Sequence, residues 1–422
     1  MREATLLVEH AAELITVAGP PGPRTGAAQA ELAVVNDGAV AAGSDGRILA
    51  VGSTEEVRAS VKLSEGARVV DATGRTVLPG FVDPHTHSVF AGDRVQEFAR
   101  RLEGADYLEI LARGGGILST VRATREAPLD RLMEKARGYL GEMLRQGTTT
   151  LEIKSGYGLT TEDEVKILRV AAALGREGPQ RVVSTFLGAH AVPMEYRERP
   201  DDYVDLVVDE MIPRVAAEGL ARFCDVFCER GAFSPEQSRR VLEAGAAHGL
   251  VPKIHAEQKS HQGGAVLAAE LGAASADHLE HVDEDDMAAL ARAGTVAVLL
   301  PGAAFVLMEE RWAPARRLID AGVPVALATD FNPGTCPIMS MPMILGLACL
   351  RRMMTPAEAV VAGTLNAAHA IGLGEEVGSL EKGKRADLVI LDAPSHQHMF
   401  YWFGRSLVRT VVKDGRVVWG EA

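Results

Sequence analysis

The sequence predicts an α/β protein, a (β/α)8 TIM-like barrel with a small β-sandwich domain built from both chain ends. Two observations support this fold class. Between residues 80 and 328, eight short apolar runs alternate with segments of helical periodicity, and successive strand–helix units of this number are typical of a closed parallel barrel. On either side of this region, short apolar stretches separated by turn residues indicate β-strands.

The two ends of the chain are predicted to form one β domain. Residues 33–40 contain a turn-like Asn-Asp-Gly between two apolar stretches. Near the other end, Asp414-Gly415 separates two valine-rich stretches and predicts a hairpin. The predicted domains are a composite β domain of residues 1–76 plus 376–422 and a catalytic barrel of residues 77–375.

The barrel region contains the predicted strands and helices, and sequence motifs mark where some of the helices begin. Ser234-Pro235-Glu236 and Thr355-Pro356-Ala357-Glu358 place a hydroxyl residue before proline and an acid in the first turn, as helix N-termini do. The predicted strands are 80–83, 148–153, 182–187, 223–227, 251–254, 274–277, 296–299 and 323–328. The predicted helices include 129–145, 162–175, 203–217, 235–248 and 283–293.

The composition argues against some classes of binding partner. The formal net charge is −13, which argues against a nucleic-acid partner or an anionic membrane surface. We find no apolar run of membrane-spanning length and no signal-peptide pattern. We therefore expect a cytoplasmic protein with a small-molecule substrate, and we allow for a homodimer.

The four cysteines are too few for a disulfide scaffold. Cys224 and Cys228 fit a buried strand better than half of a zinc site.

Histidines concentrate where the predicted strands end. In barrels of this kind, the reactive residues lie at the C-terminal ends of the strands. Five of the twelve histidines fall there, and an aspartate follows the last strand. This concentration predicts an active site at that rim. The residues are His85, His87, His190, His255, His278 and Asp330.

His85 and His87 are the strongest metal signal. Two histidines at i and i+2 on an extended segment point to the same side, so both imidazoles can reach one cation. The same pattern occurs on exposed strands, but His255 and Asp330 at other strand ends favour a metal site. Three neutral imidazoles and one carboxylate suit Zn²⁺ or Fe²⁺ rather than Mg²⁺ or Ca²⁺. We expect one Zn²⁺ or Fe ion per chain, with room for a water whose pKa the metal lowers.

Other residues near the strand ends have two interpretations each. Asp330 opens a glycine-containing loop and could cap a turn, but we expect a metal ligand and proton carrier. His278 is either a core histidine or a catalytic partner of the attacking water or of the substrate carbonyl. Gln258 can donate and accept hydrogen bonds, which suits a cyclic amide, whereas Glu257 is interpreted as a charged loop residue.

Several motifs resemble a known superfamily. Val77-Leu-Pro-Gly-Phe-Val-Asp-Pro-His-Thr-His87 resembles the first-strand signature of the amidohydrolase superfamily, and residues 378–392 (GSLEKGKRADLVILD) resemble its C-terminal strand return. Within that superfamily, the interior of the chain is similar to the imidazolonepropionases. The segments that carry this similarity are 90–94, 114–125, 152–159, 186–193, 253–258 and 329–335.

The resemblance implies a reaction and a set of roles. The reaction is the hydrolytic ring opening of 4-imidazolone-5-propanoate to N-formimidoyl-L-glutamate in histidine degradation. The implied metal ligands are His85, His87, His255 and Asp330. The implied substrate and product contacts are Arg94, Tyr157, His190 and Gln258 for the substrate, Asn332 and Gly334 for the product, and Thr335 near the substrate. An arginine fork matches a carboxylate such as the propanoate, although Arg94 could instead form a surface ion pair and Tyr157 could be a packing residue.

Three other functions compete with this interpretation. Two-metal hydrolases such as hydantoinases and dihydroorotases share the His-x-His pattern but need a bridging carboxylated lysine at the fourth strand, which ends here in Phe227-Cys228-Glu229. Cytosine- or guanine-type deaminases have a similar single-metal set, and only the interior motifs separate them. A non-enzymatic binding protein would not need to keep a complete ligand set together.

Overall fold

The computed structural model describes residues 2–104 and 115–421 of the 422-residue chain. Gly114, the first residue of the motif at 114–125, lies outside the described residues, as do residues 1 and 422 of the predicted β domain. Within the described ranges, the strands form three sheets of four, eight and six strands.

The N-terminal part of the chain is mainly β-structure, as predicted. The turn at Asn36-Asp37-Gly38 is confirmed, with Asp37 at a positive φ of 46°. The helix Thr54–Ser60 begins with a capping box, in which the Ser53 side chain accepts from the Glu56 N–H. A 3-10 helix spans Gly26–Ala30. The strands are β1 (Arg2–Ala11), β2 (Glu13–Ile15), β3 (Val34–Val35), β4 (Gly38–Ala42), β5 (Ile48–Ser53), β6 (Val61–Asp71) and β7 (Thr76–Pro79).

The middle of the chain forms the predicted barrel. Its eight strands pair in chain order, and each pair is parallel. The second of them is buried along its whole length, as expected where helices cover a parallel sheet. All eight predicted strands are confirmed. They are β8 (Phe81–Asp83), β9 (Thr148–Lys154), β10 (Arg181–Ala189), β11 (Phe223–Cys228), β12 (Val251–Ala256), β13 (Ser275–His278), β14 (Val296–Leu299) and β15 (Val325–Leu327).

The helices of this region follow the predicted pattern with one local change. Ser234 and Thr355 both begin their helices in capping boxes, as their sequence signals predict. The predicted helix 203–217 contains a π-helical turn, Val207–Met211. This turn ends two residues before Pro213, which has no N–H to continue the α-helical hydrogen bonds. None of the described helices is both long and apolar enough to span a bilayer. The α-helices are Val95–Leu102, Ile117–Glu126, Leu129–Arg145, Thr161–Glu177, Pro200–Leu206, Ile212–Ala217, Pro235–Ala247, Gly264–Glu270, Glu284–Ala293, Pro301–Val306, Ala315–Asp320, Met341–Leu350, Pro356–Ala362 and Leu365–Ala370, with a 3-10 helix at Met194–Tyr196.

The C-terminal segment returns to the β-structure of the N-terminus. It contains β16 (Leu388–Leu391), β17 (Val408–Lys413) and β18 (Arg416–Gly420), with a helix at Gln397–Tyr401. The predicted hairpin at Asp414-Gly415 is confirmed: both residues have positive φ, 46° and 69°, as a two-residue hairpin turn requires. Strand β16 pairs antiparallel with β7, which joins the two chain ends in one sheet.

The two sheets of the chain ends pack face to face. Their strand orders are β5-β4-β1-β6 and β18-β17-β16-β7-β2-β3. One apolar core contains Leu6 and Val40 from the first sheet and Val77, Leu388 and Val412 from the second, so the predicted β-sandwich is confirmed. We propose that residues 1–76 plus 376–422 and residues 77–375 act as two domains, with β7 crossing from one to the other.

The barrel closes through its first and last strands. The Asp83 carboxylate accepts from the Thr329 N–H at 3.0 Å and from its hydroxyl at 2.7 Å. One residue further, the Asp330 N–H donates to the His85 carbonyl at 3.0 Å, and the His87 N–H donates to the Phe331 carbonyl at 2.8 Å. These bonds hold two strand ends, distant in sequence, side by side.

The closure predicts a specific loss of stability. Thr329→Val should lower the free energy of unfolding by about 1–3 kcal/mol, because it removes the hydroxyl bond to the buried Asp83 carboxylate and leaves the Phe331 N–H without its partner. Urea and thermal unfolding midpoints measure the effect. Thr150→Val is the matched control, since the buried Thr150 hydroxyl has no partner among the described residues and its loss should cost little. Equal losses in the two variants would contradict this role of Thr329.

Candidate metal centre and substrate pocket

The strand ends bring the predicted metal ligands together. His85 and His87 follow β8, His255 lies in β12, and Asp330 follows β15. The ligand atoms of the three histidines lie within 4.8 Å of one another, and all three side chains are buried. Asp330 Oδ1 lies 3.5 Å from Nε2 of both His85 and His87. Four donors from three strand ends therefore surround one point.

The hydrogen bonds of the histidines leave their inner nitrogens free for a metal. His85 Nδ1 lies 2.7 Å from Asp277 Oδ2, and His255 Nδ1 lies 3.1 Å from Asp225 Oδ2. A carboxylate at Nδ1 favours the tautomer with the proton on Nδ1 and the lone pair on Nε2. Both Nε2 atoms are buried and have no hydrogen-bond partner among the described residues. Unpaired buried acceptors are costly, and the donor set fits a divalent transition metal.

Burial also controls the charge of these ligands. Burial lowers the pKa of His85 and His87 well below the ordinary value, with further effects of the Lys154 charge on His85 and of His190 on His87. Both imidazoles are thus neutral, as metal ligands must be. Burial raises the pKa of Asp330 to about 6, against the attraction of His278 and His255.

The sequence did not reveal the roles of Asp225 and Asp277, the carboxylates that contact His255 and His85. Burial alone would raise the pKa of Asp225, but the attraction of His255 and Lys154 lowers it well below the ordinary value. Burial lowers the pKa of Lys154, but Asp225, Glu152 and Asp277 outweigh this and raise it. The signal available in the sequence was a charged residue inside an otherwise apolar strand, which burial permits only with a partner.

His278 lies beside the metal ligands but has its own surroundings. Its ring centroid is 5.7 Å from that of His85 and 5.4 Å from that of His255. Its Nδ1 lies 3.7 Å from Oε1 of the buried Glu280. His278 has a positive φ of 82°, an uncommon conformation for a residue with a side chain.

Tyr157 and His190 form one wall next to His87. The His190 ring stacks on the His87 ring at 5.1 Å, with 12° between the planes, and the Tyr157 ring centroid lies 5.7 Å from that of His87. His190 Nδ1 lies 3.0 Å from the Gly156 carbonyl, and a Cβ on Gly156 would meet this nitrogen at 2.7 Å. Burial lowers the pKa of His190 to about 3 and raises that of Tyr157, so both side chains are neutral.

Arg94 lies against the loop that follows the last strand. A Cβ on Gly334 would clash with Arg94 Nη1, so glycine lets the guanidinium approach the backbone. Arg94 Nε also donates to Glu97 Oε2 at 2.7 Å. Asn332 organises this loop: its amide donates to Thr335 Oγ1 at 2.7 Å, and its oxygen accepts from the Gly334 and Thr335 N–H groups at 2.8 and 2.7 Å.

Glu257 lies in the loop that follows β12, as the sequence indicates, and its side chain is buried there. Its carboxylate accepts from the N–H groups of Gln262 at 2.7 Å and Ala265 at 3.3 Å. The reason is that the buried start of the helix Gly264–Glu270 needs acceptors for its free N–H groups.

Gln258 lies in a different part of the pocket from Arg94 and Tyr157. It is half-buried and lines a cavity of about 460 Å³, together with Glu280 and His281. Among the described residues, Gln258 makes no hydrogen bond with the other predicted site residues. The structure therefore gathers the remaining predicted residues around the histidines and the 332–335 loop, and places Gln258 in the lining of this cavity.

Known proteins resemble this chain along its length. The sequence model described as Amidohydrolase family matches residues 76–418. Imidazolonepropionase from Symbiobacterium thermophilum is 55% identical over 422 residues, covering 100% of this chain and 99% of the relative. Imidazolonepropionase from Geobacillus sp. (strain WCH70) is 52% identical over 416 residues, covering 98% and 97%.

A solved structure shares the fold at much lower identity. It is the crystal structure of an adenosine deaminase from Xanthomonas campestris with bound zinc, with a TM-score of 0.74, 21% identity and coverage of 99% of this chain and 94% of that one. This similarity extends through both the barrel and the β-sandwich. From the family match and the two full-length relatives, the chain belongs to the amidohydrolase family and, within it, to the imidazolonepropionases.

Proposed function

We propose that this enzyme opens the ring of 4-imidazolone-5-propanoate above the histidine cluster, with one Zn²⁺ or Fe ion held by His85, His87, His255 and Asp330. The family and the three-histidine site indicate a divalent metal. One observation supports the ligand set most directly: buried imidazole nitrogens without partners converge beside a carboxylate. The expectations of a homodimer and of a cytoplasmic location stay predictions.

The reaction adds water to the ring carbonyl carbon and breaks its bond to the ring nitrogen. The metal, when bound, supplies Lewis-acid chemistry that lowers the pKa of water and stabilises developing negative charge. Asp330 accepts a proton from the attacking water and passes it to the departing nitrogen. His278 donates a hydrogen bond to the carbonyl oxygen as its negative charge grows.

The remaining predicted residues hold the substrate. We assign the propanoate to Arg94, whose planar fork matches a carboxylate and which lies against Gly334. Tyr157 and His190 pack beside His87 as neutral side chains and offer hydrogen bonds to the ring, and Gln258 offers both a donor and an acceptor from the opposite wall. The loop of Asn332, Gly334 and Thr335 borders the product after ring opening.

The ligand set predicts a single metal per chain. Metal analysis of the purified protein should give a metal-to-chain ratio close to one, because all predicted ligands surround one point and a bridging lysine is missing at the fourth strand. His255→Ala should reduce the ratio strongly. A well-occupied pair of metals in the site would contradict the single-metal proposal.

The role of Arg94 predicts a substrate-dependent loss. Arg94→Lys should lower kcat/KM for 4-imidazolone-5-propanoate about 10- to 100-fold, the effect of losing a charge-assisted hydrogen bond. The loss should be much smaller for an imidazolone without the propanoate. Arg101→Lys is the control, since Arg101 contacts the Gly334 carbonyl from the same helix without a proposed substrate contact. Equal losses of Arg94→Lys on both substrates would exclude the clamp.

The roles of Asp330 and His278 predict different defects. Asp330→Asn should reduce both metal content and turnover, because it removes a ligand charge and a proton carrier together. His278→Asn should keep its metal but lower turnover about 10²-fold, the effect of losing one transition-state contact. Metal content and rate are measured on the same samples, with His248→Asn, at an exposed helix end, as control. Metal loss in His278→Asn would make His278 a ligand, and full activity would make it a core histidine.

A further inference from the structure

A buried ionic cluster lies beneath the metal ligands. It contains two lysines and three carboxylates, each with 0% exposure. Lys154 is at its centre: its Nζ lies 2.7 Å from Asp225 Oδ2, 3.0 Å from Glu152 Oε2 and 3.3 Å from Asp277 Oδ2. The members are Glu152, Lys154, Asp225, Lys253 and Asp277, from the strands β9, β11, β12 and β13.

Lys154 joins the two carboxylates that hold metal ligands. Asp277 Oδ2, which Lys154 contacts, is also the oxygen 2.7 Å from His85 Nδ1. Asp225 Oδ2 lies 2.7 Å from Lys154 and 3.1 Å from His255 Nδ1. One ammonium group thus fixes two carboxylate–histidine pairs, which orient two of the three imidazoles.

The charges of this region explain why the lysine is needed. Without Lys154, the carboxylates of Asp225 and Asp277 would be buried with little compensation, which low-dielectric surroundings make costly. Each carboxylate would also lose the ammonium contact that fixes its oxygen beside the Nδ1 atom of its histidine.

We propose that Lys154 is a positioning residue for the metal, which acts through Asp225 and Asp277 to fix the orientation and tautomer of His255 and His85. This inference rests on the proposed ligand set. The Lys154 ammonium contacts the carboxylates of Glu152, Asp225 and Asp277, so it acts through these groups. Its role is to set the affinity of the site.

Lys253 provides a matched comparison within the same cluster. It is equally buried and also binds Glu152, at 3.0 Å, but its other hydrogen bond goes to the Pro84 carbonyl at 3.2 Å. Deleting either lysine removes one buried positive charge next to Glu152. Only Lys154 contacts the carboxylates behind His85 and His255, so the two deletions separate positioning from general stability.

The experiment compares zinc affinity in Lys154→Met and Lys253→Met. Each full-length variant is stripped of metal, its unfolding midpoint is measured, and Zn²⁺ binding is titrated against a chromophoric chelator. We expect Lys154→Met to weaken Zn²⁺ binding about 10- to 100-fold, the usual effect of losing a partner behind the ligands, and Lys253→Met to change it less than about threefold. Equal weakening in both variants, or native affinity in Lys154→Met, would overturn the proposal.

Two further variants keep the result decisive. If Lys154→Met does not fold, Asp277→Asn tests the same link, because it keeps the shape but loses the charge between Lys154 and His85. It should also weaken Zn²⁺ binding about tenfold, and unchanged affinity would refute the proposal. His255→Ala tests the ligand set separately: zinc loss in this variant with native affinity in Lys154→Met leaves the ligands correct and the inference on Lys154 wrong.

Discussion

The hydrogen bonds from Thr329 to Asp83 join the last barrel strand to the first, and the geometry of the site depends on that closure. His85 and His87 come from one side of the seam and Asp330 from the other, so a shift of one residue would separate the carboxylate from the imidazoles. The parallel strands all end at the same rim. Because the closure fixes their register, side chains nearly 250 residues apart in sequence meet with little freedom to relax.

The site is built in layers that support one another. The lowest layer is the ionic cluster around Lys154, the next contains the histidines and Asp330, and the upper one contains Tyr157, His190 and the 332–335 loop. Each layer orients the one above it, since a carboxylate fixes an imidazole tautomer and the imidazoles in turn pack against the aromatic wall. Burial favours neutral histidines at the same place where it makes unpaired charges costly.

Part of the backbone strain of the protein lies at the same rim. Glu257, His278 and Asp330 all have positive φ at or just after the ends of three barrel strands. Such conformations cost free energy and persist only where the surroundings enforce them. Here the enforcing contacts are visible, because Glu257 caps a buried helix start and the Asp330 N–H bonds to the His85 carbonyl. The strained backbone directs His278 and Asp330 into the pocket rather than along the strands.

The sequence alone determined the alternation of strands and helices, the capped helix starts, the hairpin at Asp414-Gly415 and the rim on which the histidines lie. All of these follow from local periodicity and turn chemistry, which each short segment carries within itself. Only the tertiary structure decided that Asp225 and Asp277 hold His255 and His85, that Lys154 joins them, and that Glu257 caps a helix. Most of these pairings link residues on different strands, 30 to 192 positions apart, and they exist because the closed barrel sets which side chains face each other in a medium where a charge needs a partner.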